Sequence, residues 1–328
     1  MSSVPSIQLA FRFHVNFYHS YRGDAPNETG VGKDIRLMRS LLVTLDRLNA
    51  DGIAVRGTWD AENYFSLETL IPRHCPDVLE RMQRRVATGG DEIEVMGYNN
   101  GLLTAHTAAE LSRAVQWAVR NPRGSGVADL FAAHRTILRA QEMMWSPAFL
   151  RLLPALGIEA VTLYCSAIPF NSYGSFRPKP PVDERFTTRW LTAPGQEGRI
   201  ALIPAINPGD LAEPLSLRGY LRGVRRAQMH LSEPRDLLVL IDMDADDSFW
   251  EGYRLPVVSR IVALSRGLEG IVRSVVSLPY VQFTTPGEFL DNHPPCGELS
   301  LDMDTADGAF DGYASWAEKH SNQLVWAE

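Results

Sequence analysis

Short apolar runs recur along the chain, at residues 7–13, 53–57, 93–96, 137–141, 160–164, 200–203, 237–241 and 281–284. Each has the length of a buried strand. Between them apolar residues return at helical spacing, as in Ile35, Met38, Leu41, Leu42, Leu45 and Leu48, and again in Ala108, Leu111, Ala114, Val115 and Ala118. Strand and helix therefore alternate from start to finish, which predicts a parallel sheet with right-handed crossovers. About seven or eight such units in a chain of this length favour a closed or nearly closed barrel over an open sheet.

Segments 169–189 and 207–216 break the rhythm, being rich in Pro, Gly and polar residues. They are expected to be long loops over one face, where loops of a barrel shape a substrate site. With no internal repeat and no low-complexity linker, one barrel domain over residues 1–300 is predicted. A C-terminal extension over 301–328 follows, helical in pattern around Trp316 and Trp326.

Composition narrows the function. Of 328 residues, 45% are hydrophobic and 22% charged, as in an ordinary soluble protein. The net charge of −7 argues against a nucleic-acid partner, which needs clustered Lys and Arg. Arg222, Arg225 and Arg226 read as the solvated face of a helix. No apolar run approaches the ~18 residues that would span a bilayer. The three cysteines, Cys75, Cys165 and Cys296, are widely spaced, which suits a reducing compartment, and a cytoplasmic location is expected.

The candidate chemistry lies at strand ends. Residues 237–241 run straight into Asp242, Asp244, Asp246 and Asp247, followed by Phe249 and Trp250. A parallel β/α enzyme presents its acid groups at this end of the sheet. Glu142 ends the run 137–141 and precedes Ser146-Pro147, a good helix start, so it is expected in a strand-to-helix loop on the same face as Asp242. Two carboxylates from separate strands are the minimum apparatus for glycoside cleavage; taken singly, each could equally cap a helix or bind a metal. His14 follows the first strand, where it could hydrogen-bond a sugar hydroxyl or be a structural histidine. Trp59, Tyr98, Trp145 and Trp250 also follow strands and are candidates for stacking on sugar faces. Phosphate-cradling, dinucleotide and nucleophile-elbow motifs are absent, and no cofactor or metal site is predicted.

These residues give the chain a resemblance to the catalytic region of glycoside hydrolase family 57, within the superfamily shared with family 38. Phe13-His14 is similar to the family's first-strand motif, Glu92 to Tyr98 to its third-strand motif, Gln141 to Trp145 to the nucleophile segment, and Ile241 to Asp244 to the acid/base segment. Residues 283–290 and His293-Pro294-Pro295 are similar to the stretch after its last barrel strand. The resemblance implies a (β/α)7-type distorted TIM-like barrel of parallel strands and retaining cleavage or transfer on an α-linked oligo- or polysaccharide. It makes Glu142 the nucleophile, Asp242 the proton donor and Asp244 a second acid. It gives a sugar contact to His14, which joins Trp59, Tyr98, Trp145 and Trp250, placed at the rim by the strand pattern, and Asp244 as the expected substrate-contacting residues.

Departures are visible. Asn99 and Asn100 stand where the third-strand motif often has a His, and Asp244 where Glu is usual. Family 38 zinc ligation would want an acid at Asn16 and an Asp at Glu142, so that metal site is incomplete. A metal-dependent deacetylase would need a close His pair, which is missing. The alternatives are a metal-dependent α-mannosidase-like hydrolase and a carbohydrate-binding barrel without catalysis; an acid buried in an Arg pair would favour the second.

Overall fold

A computed structural model describes residues 4–17, 25–164, 182–206, 216–252, 266–302, 304 and 305. His19, Cys165, most of the two predicted loops and the extension beyond Thr305 lie outside the described residues.

The strands are β1 (Ile7–Val15), β2 (Gly57–Ala61), β3 (Glu92–Glu94), β4 (Ile137–Leu138), β5 (Ala160–Tyr164), β6 (Arg189–Thr192), β7 (Ile200–Ala205), β8 (Leu237–Asp244), β9 (Val281–Phe283) and β10 (Glu298–Ser300). One sheet runs β3-β2-β1-β8 and the other β10-β6-β7-β5-β4. Single-residue parallel bridges, Val95↔Leu138 and Ile206↔Ile241, join them. Backbone hydrogen bonds carry both seams: Val95 donates to Ile137 at 2.9 Å, and Asp242 to Ile206 at 3.1 Å. Seven parallel strands, β1, β2, β3, β4, β5, β7 and β8, thus follow one another around a ring. This is the distorted β/α barrel that the alternation predicts. β6 and β10 stand off the ring, with β6 antiparallel to β7. β9 pairs with the start of β1, below the point where β2 begins.

Side chains alternate between two environments along each strand. On β1, Ile7, Leu9, Phe11, Phe13 and Val15 join the main core beneath the helices. Ala10, by contrast, belongs with Leu238 and Leu240 of β8, Ala160 of β5 and Ala201 and Ile203 of β7 in a second, smaller cluster inside the ring. That interior is apolar only at the amino ends of the strands. At the carboxyl ends the same inward rows continue as Arg12 and His14, Asp60, Glu94, Tyr164 and Asp242, which are all buried.

The helical patterns form as expected over Gly32–Ala50 and Ala108–Val119, the latter started by a reciprocal cap between Thr107 and Glu110. The strand expected at 53–57 does not form. Asn49 Nδ2 instead donates to the carbonyls of Ile53 and Val55, holding that stretch as a turn, and β2 starts at Gly57. The apolar pattern misplaced it because Thr58 and Asp60 point into a polar interior.

Gly267 opens the helix Gly267–Val275 against the end of the β8 loop, where Leu268 N donates to Trp250 O at 2.9 Å. Its φ is +65°, and a Cβ there would lie 2.3 Å from Trp250 O. Gly267→Ala is therefore expected to cost on the order of 3 kcal/mol, through both left-handed strain and a backbone clash. Urea denaturation should show the midpoint falling accordingly, and an unchanged midpoint would contradict this.

Candidate active site

The register of the strands assembles the site. His14 lies opposite Asp60 of β2 on one side and Asp244 of β8 on the other, while Arg12 lies opposite Asp242. His14 Nδ1 donates to Asp60 Oδ2 at 2.6 Å. Arg12 reaches Glu94 at 2.6 Å and Asp242 Oδ2 at 3.3 Å. Arg139, just beyond β4, donates to Asp242 Oδ1 at 3.2 Å and stands 3.8 Å from Asp60. Tyr164, at the end of β5, donates to the same Asp242 oxygen at 3.0 Å. Strands on opposite sides of the ring are thereby tied by charge-assisted hydrogen bonds in a region without water access.

Burial sets the protonation of this layer. Desolvation pushes Glu94 up to about 8, overcoming the attraction of Arg12. For His14, burial and then the Arg139 charge oppose protonation, yet Asp60, aided by Asp244, holds the imidazole above its ordinary value. Burial would raise Asp60, but His14, Arg139 and Arg12 together hold it below the usual carboxylate range. At the mouth, Asp246 is pushed up to about 7 by desolvation and by the nearby charges of Asp244 and Asp34.

Glu142 occupies a short turn, Gln141–Met143, directly after β4. Its φ is +55° and that of Met143 is +47°. Two successive left-handed residues with Cβ atoms cost on the order of 1–3 kcal/mol each, and such strain is concentrated at functional sites. Glu142 is only half-buried, and its carboxylate accepts from Gln141 Nε2 at 3.1 Å. Met143 is wholly buried in the interior cluster, so the turn is anchored on its inner side.

Of the two expected catalytic acids, Glu142 is partly open and Asp242 is not. Asp242 is fully enclosed by Arg12, Arg139 and Tyr164, whereas Asp244, the next residue on its face of β8, is half-exposed at the mouth. The aromatic residues also differ from expectation. Trp59 is 0% exposed, packs against Phe13 and donates to Asp91 at 2.9 Å. Trp145 is likewise 0% exposed and lies edge-on to Phe149. Neither ring offers a sugar a free face, because the outward rows of the strands fill the core beneath the helices. Trp250 is also buried, and its indole donates to Asp244 O at 2.9 Å, so it supports the backbone of an acid. Tyr98 stays half-buried and donates to Glu68 at 2.9 Å.

Sequence reasoning missed Arg12, Asp60, Glu94, Arg139 and Tyr164. The signal was present as charge at every second position, Arg12 and His14 within β1 and Glu92 and Glu94 within β3. Among the described residues no group of three or more His, Cys, Asp or Glu is arranged to hold a metal ion.

No protein-family model matches the sequence, and no curated protein matches it. Solved structures do share its fold. A 4-α-glucanotransferase from Thermococcus litoralis aligns over 90% of this chain and 42% of its own, with 16% identity and a TM-score of 0.62. A GH57 branching enzyme from Thermococcus kodakaraensis aligns over 98% of this chain and 77% of its own, with 12% identity and a TM-score of 0.65. The α-amylase AmyC from Thermotoga maritima aligns over 98% and 81%, with 11% identity and a TM-score of 0.55. The chain thus spans less than half the length of the glucanotransferase.

The buried layer has a consequence for stability. Glu94 and Asp246 keep their protons in the folded state to about 8 and about 7, whereas the unfolded chain releases them near 4. His14 adds the same sign, its contribution being complete below its unfolded value and lost as pH rises through the folded one. Asp60 acts oppositely and loses its contribution only in acid. Thermal unfolding between pH 5 and 9 should therefore show a falling midpoint as pH rises, with a shallower slope in Glu94→Gln. A midpoint that climbs over this range would contradict the assignment.

Proposed function

We propose that this chain is a retaining glycosidase or transglycosylase acting on α-linked glucans. The observation that carries the reading is the left-handed turn holding a half-exposed Glu142 at the carboxyl end of β4, the end at which barrel enzymes work. The fold shared with a glucanotransferase, a branching enzyme and an amylase supports the substrate class.

In this reading Glu142 attacks the anomeric carbon, giving a glycosyl-enzyme intermediate that water or a sugar hydroxyl then resolves. The geometry favours Asp244, rather than Asp242, as the group that protonates the departing oxygen. Asp242 cannot meet a substrate while Arg12, Arg139 and Tyr164 enclose it. Asp244 is half-exposed one inward position further along the strand. His14 Nε2 is buried without a hydrogen-bond partner among the described residues, while Asp60 fixes the other ring nitrogen, which leaves an N–H for a sugar hydroxyl that enters the mouth to satisfy.

One observation favours a second reading. An acid locked between two arginines is what a carbohydrate-binding barrel without turnover would retain, and Asp242 is so locked. A wild-type chain that binds maltooligosaccharides yet neither cleaves nor transfers them would establish that alternative.

Glu142→Gln should lower kcat on maltooligosaccharides by at least about 1,000-fold while leaving the circular dichroism spectrum unchanged. Asp244→Asn should be severely impaired on the same substrates but recover on an α-glucosyl fluoride, whose leaving group needs no proton. Full activity in Glu142→Gln sinks the mechanism. Recovery on the fluoride in Asp242→Asn instead of Asp244→Asn would return the donor role to Asp242.

A further inference from the structure

The chain after β10 returns to the site. Leu301 N donates to Thr192 O of β6 at 2.9 Å, and four residues later Thr305 pairs antiparallel with Trp145. The pairing is reciprocal, with Thr305 N donating to Trp145 O and Trp145 N to Thr305 O, each at 3.0 Å. Leu301 and Thr305 are wholly buried while Asp302 and Asp304 are exposed. Trp145 is three residues from Glu142 and two from Met143, the left-handed pair.

A turn strained at two successive residues persists only if its surroundings over-determine it. On the amino side Ile137 and Leu138 of β4 pair with β5, and the backbone is bonded to the β3 side as far as Arg139, whose N–H donates to Val95 O at 3.0 Å. Met143 anchors the middle of the turn. On the carboxyl side the helix Phe149–Ala155 begins only four residues beyond Trp145, and its first residue has no side-chain cap. The Thr305 bridge supplies the missing restraint at the point where the turn must rejoin the barrel wall.

We infer that the segment anchored by Leu301 and Thr305 is a positioning strap, whose backbone bridge to Trp145 holds the Glu142 turn in its strained, working conformation. This rests on the catalytic reading of Glu142. The residue types matter little to the pairing itself; the N–H of Thr305 does, since it donates one of the two bonds. The strap acts on the reacting group through the backbone and touches no substrate.

Thr305→Pro removes that N–H, and Thr305→Val keeps it. With maltooligosaccharides, Thr305→Pro should lose kcat by about 10- to 100-fold with KM changed less than about threefold, as expected for a displaced reacting group. Thr305→Val should stay within about twofold of wild type in both. Hydrogen–deuterium exchange should quicken at residues 142–145 in Thr305→Pro while β1 and β8 remain protected. If Thr305→Pro does not fold, two glycines inserted after Asp302 shift the register of the bridge without altering either partner, and the same outcome is expected. Unchanged exchange at 142–145 overturns the strap, and faster exchange with unaltered kcat overturns its positioning role. Wild-type turnover in Glu142→Gln would instead sink the catalytic reading, and the exchange experiment would still decide whether the strap pins the turn.

Discussion

Two guanidinium groups without access to water, Arg12 and Arg139, dictate what the carboxyl end of the barrel can be. A buried, unpaired cation costs far more than a domain's net stability allows, so each must be met by acceptors at hydrogen-bonding distance. Asp242 meets both, Glu94 meets Arg12, and Asp60 lies beside Arg139. Asp60 in turn fixes one nitrogen of His14, and the phenol of Tyr164 completes Asp242. Once the arginines are in place, the identity and orientation of nearly every inward residue at this end are constrained. The floor beneath them has no such demands and is filled with Ala, Ile and Leu.

This division explains what could be read from the sequence. Outward rows are apolar, so β1, β5, β7 and β8 announce themselves through Leu9, Phe11, Leu163, Leu202 and Val239, and the two helical stripes are unambiguous. β2 is nearly invisible, because Thr58 and Asp60 interrupt its apolar residues, and a neighbouring turn mimics a strand better than the strand does. β6 and β10 escape notice for another reason: both are short and only partly buried, and β10 pairs with β6 from more than a hundred residues away in sequence.

The candidate site was legible in part. Glu142 and the acidic end of β8 can be found from the pattern alone, because a strand running into carboxylates is a local signal. Which acid faces the cleft is not local. Asp242 and Asp244 share a face of one strand, and only the reach of Arg12 and Arg139 from β1 and β4 decides that the first is enclosed and the second left open. The aromatic rings mislead for a similar reason. Trp59 is expected just past a strand at 53–57 but in fact sits within β2, in its outward row, so position along the chain does not distinguish a mouth residue from a core residue.

The ring's two seams carry a consequence for the site. The seam between β3 and β4 holds three backbone hydrogen bonds, Arg135 N to Ile93 O, Val95 N to Ile137 O and Arg139 N to Val95 O, and that between β7 and β8 holds two, Ile206 N to Leu240 O and Asp242 N to Ile206 O, whereas β1 and β8 are paired over eight residues. The barrel is therefore two staves joined along two short seams. Glu142 belongs to the stave of β4, β5 and β7, and Asp244 to the stave of β1, β2, β3 and β8. Arg139 and Tyr164 reach across from the first stave to Asp242 on the second and act as rivets. The two carboxylates thus stand on different staves, and their spacing is set across the seams, with those rivets fixing the acid layer beneath them.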